Sequence, residues 1–148
     1  MTKIQKIYIG ADHVGYELKN EIKKYVVRLG FDTEDVGVFS GAAADYPDIA
    51  KKVAKKVLRN RAAYGILICG TGIGMSMAAN RFKNIRAAEC ASEKMAEFSR
   101  KHNDANVLCL GARLLKPMLA KKITRRFLQT NFESETRHIL RVKKIELC

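Results

Sequence analysis

The chain has 148 residues, 47% of them apolar and 29% charged, a length and balance that suit one domain with a buried core and exclude a disordered chain. Its net charge of +13 favours an anionic partner, which narrows the field to nucleic acid, a membrane surface or a phosphorylated metabolite.

From the start, residues 4–11 (IQKIYIGA) read as a first strand. Asp12 and His13 interrupt this short apolar stretch, so no signal peptide is expected, and no run reaches membrane-spanning length. The expectation is a cytoplasmic protein with no membrane partner. Residues 16–29 follow with apolar side chains at 18, 22, 25, 26 and 29, the stripe of an amphipathic helix, and Gly30 supplies its stop. Residues 31–38 form a weaker second strand, and SGAAADYPD is a loop whose Pro47 suits the first turn of the next helix. That helix, 47–60, sets Ile49, Val53 and Val57 on one face and Lys51, Lys52, Lys55 and Lys56 on the other. GILIC at 65–69 is continuously apolar, as in a strand buried on both faces of a parallel sheet. A Gly-rich turn leads to a helix over 75–81, and residues 86–91 make a modest fourth strand. Ser92 caps a helix to 101, NVLCLG at 106–111 is the fifth strand, and 117–130 is a helix with Leu119, Ile123 and Phe127 inward. The tail, about 135–147, is helical and basic. Strands alternating with helices predict an α/β, three-layer Rossmann-like fold over 1–148: a five-stranded parallel sheet with helices on both faces.

Ligands of such sheets gather beyond the carboxyl ends of the strands. The first strand ends in GADH, with Asp12 and His13; the third in CGTGIG, residues 69–74; the fifth in GAR, with Arg113. HND at 102–104 lies just ahead of the fifth strand, and these segments are expected to converge on one edge of the sheet. Glycines at 70, 72 and 74 allow positive φ and close approach of a ligand, and the helix after them points free amides at the cleft. The turn lacks the Lys-Ser/Thr of a P-loop, and it follows the third strand, not the first as in a dinucleotide fingerprint. The four cysteines form no CxxC pair and no zinc-type spacing with the three histidines, and free thiols are expected. Cys90 and Cys109 read as inert core residues. Cys69, at the mouth of the glycine turn, is placed either to take a proton from carbon or to attack a carbonyl; the motif does not distinguish these. His102 is placed to donate a proton to a ring oxygen. Arg113, Arg137 and Arg141 are the phosphate candidates, the last two at i, i+4 on one helix face beside His138. Tyr46 either reaches the site by its hydroxyl or packs against the following helix.

GADHVGYELK, DYPD, ILICGTGIGMSMAANR, HNDANVLCLGAR and the RH-x-x-RV tail stand in the order of one family. Along nearly its whole length the chain resembles the ribose-5-phosphate isomerase B family, which includes the galactose-6-phosphate isomerase subunits. The resemblance implies aldose–ketose isomerisation of a sugar phosphate, without cofactor or metal, by Cys69 as base and His102 as ring-opening acid. It implies that Asp12, Asn103 and the backbone of Gly70, Thr71, Gly72, Ile73 and Gly74 hold hydroxyls and the enediolate. It assigns the phosphate to Arg113, Arg137 and Arg141, joined by His13 or His138. It further implies a homodimer or tetramer with shared sites, in which His102 and the arginines serve the neighbour's Cys69 and the tail helix reaches the partner. The HND motif and the RH-x-x-R tail together favour the pentose phosphate over galactose 6-phosphate. Two stretches depart from the family. ESETRH at 133–138 replaces Gly-Gly-Arg-His, and Glu89 stands where an apolar strand residue is expected. A non-catalytic nucleotide- or nucleic-acid-binding module is the rival reading of the charge. It leaves Cys69 and His102 without a role, so no nucleic-acid partner is expected.

Overall fold

The computed structural model describes residues 4–148. Its elements are β1 (Lys6–Ala11), α1 (Tyr16–Arg28), β2 (Asp32–Gly37), α2 (Tyr46–Arg59), β3 (Tyr64–Cys69), α3 (Ile73–Ala79), β4 (Ala87–Glu89), α4 (Glu93–Asn103), β5 (Val107–Gly111), α5 (Pro117–Gln129) and α6 (Thr136–Ile145). The strands form one parallel sheet in the order β2-β1-β3-β5-β4, so the predicted five-stranded α/β architecture stands.

Successive strand side chains point to opposite faces, and the central strands use both faces for packing. Ile66, Ile68, Leu108 and Leu110 join Ile22 and Val26 of α1 and Ile123 and Phe127 of α5 in one core. Leu67, Cys69, Val107 and Cys109 face the other way, against Val53 and Val57 of α2 and Met75 of α3. Cys69 therefore lies on the α2/α3 side because it alternates with Ile68.

The edge strand β2 (DTEDVG) carries acids in place of apolar residues, and cations meet them. Lys6 pairs with Asp32, Lys56 with Glu34, and Lys23 with Asp35. Lys19, inside α1, is fully buried; its Nζ donates to Asp35 Oδ1 at 2.8 Å and to the Val38 carbonyl. Nothing in the helical pattern of 16–29 announces that a lysine would be inside.

Local signals mark several helix starts. Ser92 Oγ accepts from the Met95 amide at 3.2 Å, and Pro47 lies in the first turn of α2, both as expected. α3 starts two residues earlier than the sequence pattern implies. Gly72, left-handed at φ +79°, turns the chain sharply enough for the helix to begin at Ile73.

Candidate active site

Each helix runs back against the strands, so residues that follow strands gather at the carboxyl edge of the sheet. Residues that close helices gather at the amino edge. This polarity divides the candidate residues into two groups.

The carboxyl-edge group centres on Cys69, the last residue of β3. It is 4% exposed, and the Gly72 amide donates to its Sγ at 3.2 Å. A proton donor beside the sulfur is the arrangement a thiolate needs. The turn tightens further when the Ile73 amide donates to Thr71 Oγ1 at 3.3 Å. Gly74 lets the Tyr46 ring approach: a Cβ there would lie 2.7 Å from ring carbons and 3.1 Å from the hydroxyl. Tyr46 is thus brought to the glycine turn from the start of α2. The Arg113 side chain folds over Gly70, with Nη1 3.4 Å from where a Cβ would stand. Asp12 is buried beside the end of β3, where its amide donates to the Ile68 carbonyl, and its Oδ1 accepts from the Gly15 amide at 3.0 Å. His13 Nδ1 accepts from the Ala44 amide at 3.3 Å, tying the β1–α1 turn to the loop before Tyr46. Cys69, Gly70–Gly74, Asp12, His13, Tyr46 and Arg113 are therefore one neighbourhood.

His102 and Asn103 are not part of it, and the expectation that the HND segment shares this edge is corrected here. They close α4, which starts after β4 and runs back to the amino edge. There Arg86, entering β4, donates through Nε to the Asn103 and Asp104 carbonyls, and Arg100 reaches Tyr64, the first residue of β3. His102 stacks on Phe98 one turn earlier, with ring centroids 4.9 Å apart. On its other face lies His138 of α6, at 4.6 Å and 11° between planes. α6 is held at this edge by Glu146, which accepts from Arg86 Nη1 at 2.6 Å and from the Asn84 amide at 2.7 Å. Arg137 and Arg141 are exposed on α6, with Arg137 Nε 3.0 Å from Glu135. The amino-edge group is thus His102, Asn103, Arg137, His138 and Arg141.

Three residues beside these groups escaped the sequence reading of the site. Phe98 sits four positions before His102, a spacing that makes contact on a helix and was available as a signal. Glu133, noted only as a departure, brings a carboxylate to the two histidines. Glu89 sends its side chain to the back of the Gly72 turn, and burial raises its carboxyl above the ordinary glutamate value.

The remaining core cysteines behave as expected. Burial pushes the Cys90 thiol up to about 11, and burial likewise raises Cys109. Neither holds much thiolate at neutral pH. No helix is long and apolar enough to cross a membrane among the described residues.

The family model for ribose/galactose isomerases matches residues 7–145. The chain belongs to that family. Ribose-5-phosphate isomerase B of Escherichia coli is 44% identical over 142 residues, covering 96% of this chain and 95% of its own. Among solved structures, the ribose-5-phosphate isomerase of Thermotoga maritima superposes with a TM-score of 0.94 at 47% identity, covering 97% of this chain and 99% of the other. The Trypanosoma brucei type B enzyme gives 0.95 at 45% identity, with 98% and 99% covered. The family membership implied by the GTGIG and HND motifs is thereby established, and with it the three-layer fold.

Proposed function

We propose that the chain interconverts ribose 5-phosphate and ribulose 5-phosphate through a cis-enediolate, in sites each built from two copies of the chain. The observation that carries the chemistry is Cys69 Sγ at the end of β3, with the Gly72 amide donated to it and Tyr46, Asp12 and Arg113 around the same turn. Relatives that carry the ribose-5-phosphate isomerase name at similar length support the substrate.

His102 donates a proton to the ring oxygen and opens the furanose. Cys69 then takes the proton from C2, and negative charge moves onto the C1 oxygen. Amides around Thr71–Gly74 and the Asp12 and Asn103 side chains hold the oxygens of the enediolate. Returning the proton to C1, as the C2 hydroxyl passes its own proton to the C1 oxygen and becomes the carbonyl, completes the isomerisation with no net redox change. Arg113, Arg137 and Arg141, with His13 or His138, hold the phosphate, whose remote binding energy positions the reacting carbons.

The separation of the two groups supports sharing of the site. β3 has six residues and spans about 16–20 Å from edge to edge, whereas proton transfer needs contact near 3 Å. A second copy supplies what one chain keeps at its far edge: His102 of the partner subunit meets Cys69, and α6 of each chain reaches the other. Exposed apolar residues support such pairing. Ile73 and Met77, one turn apart on α3, are 48% and 67% exposed, and Phe98 and Leu140 are exposed beside the amino-edge group. A reducing, cytoplasmic location suits a free thiol used as a base.

The test is turnover of ribose 5-phosphate, and separately of galactose 6-phosphate, by the wild type and Cys69→Ala with chelator present. We expect pentose turnover to fall by at least ~100-fold in the variant, with the far-ultraviolet spectrum and melting little changed. Near-normal turnover removes Cys69 as the base, and preferential turnover of the hexose phosphate overturns the substrate.

A further inference from the structure

His102, His138 and Glu133 each offer a ligand atom, and these atoms lie within 4.8 Å of one another. His138 is 4% exposed, and its Nε2 is buried with no hydrogen-bond partner among the described residues. A buried polar atom left unpaired costs roughly 1–3 kcal/mol, so this nitrogen calls for a partner such as a water or an ion. The cluster is also braced. The Glu133 amide donates to the Lys101 carbonyl at 3.0 Å and fixes that residue against the end of α4. The His138 amide donates to the Glu135 carbonyl at 2.9 Å, and Phe98 walls the far face of His102. The cations nearby are already matched: Lys101 lies 2.7 Å from Glu97, and Arg137 lies 3.0 Å from Glu135. Glu133 is held more loosely, at 3.7 Å from Lys101.

We propose that His102, His138 and Glu133 form a site for a zinc-type transition metal, and that the metal switches the isomerase off by occupying His102. Two imidazoles and one carboxylate are a borderline-soft donor set of the kind that zinc accepts, with a fourth position open. Zinc–nitrogen and zinc–oxygen bonds of about 2.0–2.2 Å place tetrahedral donors roughly 3.3 Å apart. From 4.8 Å that needs rotation of the two rings out of their stack and a small swing of Glu133. Metal binding stands on the cluster alone. Its inhibitory effect rests on the reading of His102 as the ring-opening acid, because a nitrogen bound to metal has no proton to give.

The test titrates full-length, chelator-treated protein with Co²⁺ and follows its visible d–d absorption, then displaces it with Zn²⁺. One Co²⁺ per chain is expected. Loss of an outer-sphere partner alone costs about 10–100-fold in metal affinity, so Glu133→Gln, which removes a partly exposed ligand without touching the core, should weaken binding at least that much. His138→Asn should do the same. Cys69→Ser should bind Co²⁺ as the wild type does, with no thiolate charge-transfer band in either protein. Equal affinity in Glu133→Gln, or a thiolate band lost in Cys69→Ser, overturns the site. In the isomerase assay, Zn²⁺ should inhibit the wild type reversibly, while Glu133→Gln keeps basal turnover and needs at least about 10-fold more Zn²⁺. Cobalt bound at the cluster with turnover undiminished overturns the switch, and the cobalt readings stay informative even if His102 is not the acid.

Discussion

The proposed division of the site between two chains makes a prediction whose size can be worked out beforehand. Cys69→Ala and His102→Asn are each expected to be inactive alone. Cys69 ends β3 at one edge of the sheet, and His102 closes α4 at the other, beside Tyr64 and Arg86. No side-chain rotation bridges the roughly 16–20 Å between those edges. When the two variants are unfolded together in equal amounts and refolded, random pairing makes about half of the dimers mixed. A mixed dimer has one site lacking both groups and one site with both intact, the sulfur from one chain and the imidazole from the other. The mixture should therefore recover about a quarter of wild-type turnover per chain, from parents that have almost none. The assay is ribose 5-phosphate turnover before and after mixing, with refolded wild type as the reference and sedimentation to confirm pairing. A mixture that pairs but stays at the level of its parents refutes the shared site, whatever the roles of the individual residues.

Two further outcomes concern the scaffold. Asp35→Asn removes the partner of the fully buried Lys19 and should cost about 3–5 kcal/mol of stability in urea unfolding, the usual penalty for orphaning a buried charge; a loss below ~1 kcal/mol contradicts this account. Burial acts to raise the Asp35 carboxyl, but bonds from Lys19, the Gly37 amide and Lys23 outweigh it and hold it below the ordinary aspartate value. Its contribution is therefore complete above the unfolded value of ~3.9 and is lost as pH falls through the lower folded value, so the wild type and variant melts should converge in acid. Gly72→Ala forces a side chain into left-handed backbone, at about 1–2 kcal/mol, and sets its Cβ 3.0 Å from the Leu110 carbonyl carbon. The amide should leave Cys69 Sγ, and kcat should fall more than KM rises; unchanged kcat would show that this contact is dispensable.

Several features were legible in the residues. The run GILIC predicted a strand buried on both faces, and β3 is central, with Ile66 and Ile68 packed on one side and Leu67 and Cys69 on the other. Ser92 announced the start of α4, and the glycines at 70, 72 and 74 announced the corner that holds Cys69. The position of His102 was misread although the alternation contained it: a residue that ends a helix lies at the edge where the next strand begins. Lys19 was invisible because its burial depends on Asp35 and Val38, which reach it through the β1–β2 pairing. The contact of Glu133 with His102 and His138 joins the end of α4 to the start of α6, and no short spacing encodes it.

By itself, the sequence determined the order of strands and helices, the glycine corner and the family. These follow from periods of two and 3.6 residues and from turn chemistry, all set by neighbours along the chain. Only the tertiary structure decided which side chains meet across that frame. Strand order in the sheet and the seating of the tail helix come from long-range packing, which buried Lys19 against Asp35 and brought Glu133 and His138 to His102.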